Sequence, residues 1–219
     1  AALNHPHICT LYDVGSDHGH DYLVMEYVEG QTLAGPLPVD EAVQLATQIA
    51  GALDIAHQHG ILHRDLKPSN VMRTKSGAKL LDFGLAKAIN HDSDVSRTVA
   101  GLVLGTVAYM SPEQAEGKPL DARSDIFSFG ALLYEMLAGR QPFAGDTTAA
   151  LISAVLRDEP APLVAPSALQ QIVRRWLAKQ AAQRFATMRE VTAALGQVTP
   201  TLVDPPSIAV LPFSSLSPD

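Results

Sequence analysis

The chain has 219 residues, of which 47% are hydrophobic and 18% are charged, a composition that is ordinary for a soluble globular protein. Its formal net charge of −7 argues against a nucleic-acid-binding surface, because phosphate backbones are bound by clustered Lys and Arg. A single cysteine excludes an intramolecular disulfide and fits a reducing compartment. No apolar run approaches the ~20 residues that span a bilayer, and the first residues do not form a signal peptide.

The first part of the chain predicts two strands and a long helix. The strands are expected at 8–14 and 21–28, and the second is rich in β-branched and aromatic residues. Between 40 and 59, apolar residues recur at helical spacing over a broad face, so we expect a helix buried on most of its circumference. Asp40 is the predicted N-cap of this helix, and Gly60 is its predicted C′ residue.

The rest of the chain predicts a mainly helical region. Residues 61–120 are rich in turns and contain only short apolar pairs. Helices are then predicted at 124–138, 146–157, 167–179 and 187–196. Two strands followed by helices make a poor self-contained fold. We therefore interpret the layout as the end of a mixed lobe followed by a helical lobe.

Two charged sequences in the turn-rich region carry the chemistry. His-Arg-Asp-Leu-Lys-Pro-Ser-Asn occupies residues 63–70, and Asp-Phe-Gly follows at 82–84. Both match the catalytic loop and the magnesium loop of protein kinases in residue type and spacing. Over residues 3–197 the chain resembles the eukaryotic-type serine/threonine protein kinases of bacteria. The resemblance implies an α+β, protein-kinase-like two-lobe fold, consisting mainly of the helical C-lobe and the hinge strands of an incomplete N-lobe.

The resemblance also implies catalytic roles for residues in these loops. Asp65 is expected to accept or orient the proton of the substrate hydroxyl, and Lys67 to place a cation against the transferring phosphate. Asn70 and Asp82 would supply hard oxygen ligands for Mg²⁺. Gly84 would give the loop after Asp82 its backbone freedom. The expected cofactors are ATP and Mg²⁺, and the expected reaction is the phosphorylation of serine and threonine hydroxyls on protein substrates.

The adenine side of the site is implied by the same resemblance. Met25 corresponds to the gatekeeper, and the sequence Met-Glu-Tyr-Val that it opens resembles the hinge. The carbonyl of Glu26 and the amide of Val28 would hold the purine. Met72 would lie beneath the ring as an apolar floor.

Residues 82–113 resemble the activation segment of the family. Thr106 is expected to contact Asp65 and Lys67 and to help recognise a substrate that carries a hydroxyl group. The segment ends in Ser-Pro-Glu, where the family usually has Ala-Pro-Glu. Since both residues are small, we expect Ser111 to change nothing functional.

Supporting residues are implied around the loops. Glu113 is expected to pair with Arg184, and Asp125 is expected to anchor the backbone of the catalytic loop. Stacked apolar positions are expected at His63, Phe83 and Leu11.

Arg64, beside the catalytic aspartate, indicates control by phosphorylation, because an activation-segment phosphate can organise such an arginine. Ser96 or Thr98 is the predicted autophosphorylation site, and an unmodified loop is the alternative.

Three His-x-His pairs could suggest metal binding, but no cysteine or carboxylate cluster accompanies them at ligand spacing. We interpret them as surface or turn histidines. The pairs are His5/His7, His18/His20 and His57/His59.

The Gly-rich loop, strand lysine and helix glutamate of a complete kinase are not found in the sequence. Residues 3–8 resemble the segment after that helix, so we expect the missing elements upstream and negligible phosphotransfer from this chain alone. A non-catalytic kinase-like scaffold is the alternative hypothesis. A small-molecule phosphotransferase with the same fold is a third.

The predicted domain organisation has four parts. Residues 1–28 are the N-lobe remnant and hinge, and residues 29–197 form the C-lobe. A proline-containing linker at 198–206 leads to residues 207–219, whose apolar strand resembles the opening of TolB-like domains. Since no transmembrane helix separates these parts, we expect a cytoplasmic multidomain protein.

Overall fold

The structure is a computed structural model that describes residues 3–83 and 104–198. Residues 199–219, with most of the predicted linker and all of the predicted following strand, lie outside the described residues. The predicted positions Gly84, Ser96 and Thr98 also lie outside them. The described parts comprise a small β region followed by a helical region, as the sequence predicts.

The first two strands form an antiparallel hairpin. Strand β1 spans Leu11–Asp17 and β2 spans His20–Met25. They are joined by a two-residue turn in which His18 and Gly19 both have positive φ, at 49° and 78°. Such a turn matches the twist of the paired strands and carries β1 three residues beyond its predicted end. The predicted start of β1 is wrong, because the strand begins at Leu11 and not at residue 8. Strand β2 ends at Met25, so the predicted hinge residues leave the sheet.

A second, three-stranded sheet supports the loop at 63–70 and residues 82–83. Its antiparallel strands, in spatial order, are β3 at Gln31–Thr32, β4 at Val71–Thr74 and β5 at Gly77–Leu80. None of these three strands is predicted from the sequence, because strands of two to four residues show too little alternation to stand out among turns. The backbone N–H of Leu80 donates to the carbonyl of His7 at 2.9 Å, so the sheet also holds the start of the chain.

Helix α1 spans Val39–Gln58 and confirms the predicted long helix. The predicted N-cap is wrong. Pro38 occupies the N-cap position and makes no side-chain cap. The helix begins at Val39, one residue earlier than predicted, so Asp40 falls in its first turn. There its carboxylate faces the positive end of the helix dipole. The predicted C′ residue is confirmed, since Gly60 has a φ of 73° directly after the cap residue His59.

The remaining helices form the helical part of the fold. They are α2 at Leu104–Val107, α3 at Pro112–Ala115, α4 at Ala122–Ala138, α5 at Thr148–Arg157, α6 at Ser167–Trp176 and α7 at Met188–Gly196. The four predicted helices are confirmed as α4 to α7, with small shifts at their ends. The two four-residue helices α2 and α3 were not predicted.

Helix α4 is the centre of the core, and 12 of its 17 residues are buried. It packs against α1, α6 and α7. A Cβ at Gly130 would lie 2.9 Å from the Cβ of Trp176, so glycine allows α4 to approach α6 this closely. Phe129 packs edge-on to the Trp176 ring at 5.2 Å between centroids. The N-terminal end of this rigid helix lies beneath the loop at 63–70.

Candidate active site

The loop after α1 holds a carboxylate between two nitrogen donors. The Nζ atom of Lys67 lies 2.8 Å from Oδ2 of Asp65. The Nδ2 atom of Asn70 donates to the Asp65 carbonyl at 2.8 Å and to its Oδ2 at 3.1 Å. Asn70 is buried and belongs to a 3₁₀ turn at Pro68–Asn70, whereas the Asp65 side chain is 45% exposed. Two donors therefore hold the carboxylate in place, and it remains partly exposed to solvent.

Thr106 joins this group from the far side of the chain. Its Oγ1 accepts a hydrogen bond from Nζ of Lys67 at 3.2 Å. Among the described residues, Thr106 and Asp65 share no direct hydrogen bond, although both line a cavity of about 30 Å³. The lysine therefore bridges the two residues that the sequence predicts to be in contact.

Asp125 anchors the backbone of the same loop. Its side chain is 1% exposed; Oδ2 accepts from the N–H of His63 at 2.8 Å, and Oδ1 accepts from the N–H of Arg64 at 2.9 Å. His57 contributes a third hydrogen bond, from Nε2 at 2.7 Å. Burial alone raises the pKa of Asp125, but the hydrogen bonds from His57 and the two amides outweigh it and hold that pKa below its ordinary value.

His57 was not predicted to belong to the site. Its interpretation as a surface or turn histidine is wrong, because its side chain is only 10% exposed and lies against Asp125. A carboxylate can only accept, so Nε2 of His57 carries the proton. The signal was available in the sequence: His57 follows the buried Leu53 by four residues and therefore shares the buried face of α1.

Two of the predicted apolar positions, Leu11 and Phe83, line a second, larger cavity, and the third, His63, packs against Phe83. The ring of His63 is fully buried and lies 4.9 Å from the Phe83 ring, centroid to centroid. Burial lowers the pKa of His63, which keeps its ring neutral at pH 7. Leu11, Met25, Asp82 and Phe83 all line a mainly apolar cavity of about 390 Å³. The predicted gatekeeper Met25 therefore lines the same cavity as Asp82 and Phe83.

Asp82 lies two residues after the end of β5 and is held close to the first loop. Its own side chain is exposed and its φ is 55°. The N–H of the preceding residue, Leu81, donates to the carbonyl of Asn70 at 2.9 Å. The two predicted metal ligands, Asn70 and Asp82, therefore stand on backbone segments that are hydrogen-bonded to each other.

The predicted hinge is held by Lys79, a residue that was not predicted to belong to the site. The Glu26 carboxylate accepts from Nζ of Lys79 and from the N–H of Thr10, the latter at 3.1 Å. The hydrogen bond from Lys79 holds the pKa of Glu26 below its ordinary value. Glu26, Val28 and Met72 do not line the 390 Å³ cavity, which lies on the Met25 side of the hinge.

Glu113 and Arg184 form the expected ion pair. Arg184 donates to both carboxylate oxygens, at 2.7 and 3.0 Å, and its side chain is fully buried. Its other donors reach the carbonyls of Ala178, Arg123 and Lys179. Burial raises the pKa of Glu113, but the bonds from Arg184 outweigh it and hold that pKa below its ordinary value.

Comparison with known proteins decides the family. The model of the protein kinase domain matches residues 1–194. The chain belongs to the protein kinase family. It is 41% identical to serine/threonine-protein kinase PknB of Mycobacterium leprae over 217 residues, 90% of this chain and 34% of the relative. It is 39% identical to serine/threonine-protein kinase pkn2 of Myxococcus xanthus over 245 residues, 99% of this chain and 30% of the relative.

These comparisons confirm the predicted family and the kinase-like fold, and the named relatives are bacterial serine/threonine kinases. The chain spans about a third of the length of the curated relatives that it matches. Within residues 3–83 and 104–198 of this kinase domain, no helix combines the length and apolarity that crossing a membrane requires. The roles of the individual site residues stay predictions.

The donor set of this kinase domain fits Mg²⁺. Asn70 uses Nδ2 for its hydrogen bonds to Asp65, which leaves its amide oxygen for a metal, and Asp82 presents an exposed carboxylate. Among the described residues, no group of three or more His, Cys, Asp or Glu side chains could hold a metal alone. A pair of oxygen ligands suits an ion that keeps several waters and also binds substrate phosphates.

Proposed function

We propose that the protein containing this chain transfers the γ-phosphoryl group of ATP to serine and threonine hydroxyls of protein substrates. One observation carries the proposal: Lys67 and Asn70 hold the Asp65 carboxylate, which remains partly exposed to solvent. A group in this setting can accept a hydrogen bond from an incoming hydroxyl and orient its oxygen for attack.

Lys67 would supply the charge that the reaction needs. Its Nζ atom lies between Oδ2 of Asp65 and Oγ1 of Thr106, so it sits beside the position where the substrate hydroxyl would bind. A fixed cation there stabilises the negative charge of the transferring phosphoryl group without further rearrangement. Asn70 and Asp82 would hold Mg²⁺, which neutralises phosphate charge when it is bound.

Protein substrates are supported by the segment that carries Thr106. This residue lies in α2, a few residues before α3, and it is tied to the catalytic loop through Lys67. The named relatives are serine/threonine-protein kinases. Because the reaction would consume ATP, we place this domain in the cytoplasm.

The test is phosphosite mapping on a mixture of peptides that contain Ser, Thr or Tyr, using the full-length protein and Mg-ATP. The proposal predicts phosphate on Ser and Thr, little on Tyr, and loss of all transfer when Mg²⁺ is chelated. A small-molecule phosphotransferase would consume ATP with its own acceptor but leave every peptide unmodified. A non-catalytic scaffold would leave the peptides and the ATP unchanged.

A further inference from the structure

Gln114 connects α3 to the catalytic loop through both ends of one carboxamide. Its Nε2 donates to the backbone carbonyl of Arg64 at 2.7 Å. Its Oε1 accepts from the backbone N–H of Ser111 at 3.0 Å. Arg64 is 50 positions from Gln114 in the sequence, and Ser111 is three positions from it. The side chain is thus a bridge between the end of the activation segment and the loop that carries Asp65.

A capping box fixes the direction in which this side chain leaves its helix. The Oγ of Ser111 accepts from the N–H of Gln114 at 3.3 Å, in return for the bond from the Ser111 N–H to the carboxamide. Ser111 is fully buried, and Pro112 occupies the first helical position. An alanine at 111 would lack the hydroxyl. Ser111, which was expected from the sequence to change nothing functional, therefore helps to orient Gln114.

Arg64, the residue that Gln114 holds, has an unusual backbone conformation. Its φ is 67°, in the left-handed region that is unfavourable for a non-glycine residue. Its N–H is bound by Asp125 of α4, and its carbonyl is bound by Gln114 of α3. Both backbone polar groups are thus held by side chains of different helices, immediately before Asp65.

We propose that Gln114 is a positioning residue that holds the Arg64 peptide, and through it Asp65, in the orientation needed for phosphoryl transfer. A strained conformation persists only where its surroundings determine it from several sides. Asp125 restrains one side of Arg64, and Gln114 restrains the other. The part of the proposal that concerns the reaction rests on the proposed kinase function, whereas the restraint on the loop can be measured independently.

Gln114→Glu separates this role from helix capping. Glutamate keeps an oxygen that accepts from Ser111, and capping boxes use Glu or Gln at this position. It loses the donor to Arg64 and places a carboxylate against that carbonyl. The matched control is Gln171→Glu, the same chemical change at an exposed position of α6 whose side chain makes no hydrogen bond with other described residues. Gln114→Met, which has similar length and no polar group, is a second variant in case the glutamate variant does not fold.

The measurements use the full-length protein. They are kcat and KM for ATP and for a peptide substrate, the thermal unfolding midpoint, and amide hydrogen exchange of a peptic fragment covering residues 62–67. In Gln114→Glu we expect kcat to fall about tenfold, the size of one lost hydrogen bond, while KM for ATP stays within about twofold. Exchange over 62–67 should accelerate without faster exchange in α4. Gln171→Glu should match the wild type in every measurement.

Unchanged kcat and unchanged exchange in Gln114→Glu would overturn the proposal. So would a loss of kcat that only follows a fall in the unfolding midpoint, because that result would mean a purely structural role. If the wild type transfers no phosphate, the proposed kinase function fails, and the exchange measurement still decides whether Gln114 restrains the loop.

Discussion

His57 and Asp125 form a hydrogen bond of 2.7 Å that joins the end of α1 to the start of α4 behind the catalytic loop. The same carboxylate receives two backbone amides of that loop. The loop is therefore attached to two helices of the core, and within it the Asp65 side chain is 45% exposed and that of Lys67 is 22% exposed. We expect such an arrangement to hold the proposed catalytic side chains in place while leaving Asp65 accessible, as catalysis by positioning requires.

The hydroxyl of Thr106 should matter through its bond to Lys67. Thr106→Val keeps the shape of the side chain and removes the acceptor, whereas Thr106→Ser keeps the acceptor. We expect kcat/KM for a peptide substrate to fall about tenfold in the valine variant and to stay within about threefold in the serine variant. Steady-state kinetics of the full-length protein provide the measurement. Equal values for the two variants would show that the hydroxyl is not needed.

The buried ion pair should carry stability rather than catalysis. Arg184→Met leaves the largely buried Glu113 carboxylate with only its hydrogen bond from Ser124, so the free energy of unfolding should fall by about 3–5 kcal/mol. Urea unfolding measures the change, and Arg189→Met on the exposed side of α7 is the matched control. A loss below about 1 kcal/mol would contradict the account of a desolvated pair.

His63 should make the domain less stable in mild acid. Its folded pKa lies below the ordinary value of 6.5 because the ring is buried, so the unfolded chain binds a proton that the folded chain does not. Stability is therefore complete above about pH 6.5 and is lost as pH falls below it, by at most about 1.4 kcal/mol for each pH unit. Unfolding free energies measured between pH 7.5 and pH 5 should show this slope, and His63→Phe should flatten it. A slope that persists unchanged in the variant would assign the effect to other groups.

Control by phosphorylation remains a prediction from the sequence. Among the described residues, the Nε atom of Arg64 is buried and has no hydrogen-bond partner. Phosphopeptide mapping of active full-length protein should find phosphate on Ser96 or Thr98. Active protein in which neither residue is modified would refute this mode of control.

The loops at 63–70 and 82–84 were predictable because their residues are neighbours in the sequence and their chemistry requires fixed residue types. The contacts that hold the loops were harder to predict. Gln114 and Arg64 are 50 positions apart, and His57 and Asp125 are 68 positions apart. Only packing brings such pairs together. The short helix α3 gave no periodic pattern, so its capping box, and with it the role of Ser111, became visible only in three dimensions.

Replacement of Asp65 tests the central claim most directly. The measurement is single-turnover phosphoryl transfer from Mg-ATP to a serine or threonine peptide by the full-length protein and by its Asp65→Asn variant, with the unfolding midpoints compared. Asparagine keeps the size of the side chain and removes the group that would take up the hydroxyl proton. We expect the rate to fall at least about 100-fold at an unchanged midpoint. Equal rates in the two proteins, or no transfer by the wild type, would contradict the account, and the second result would favour a non-catalytic scaffold.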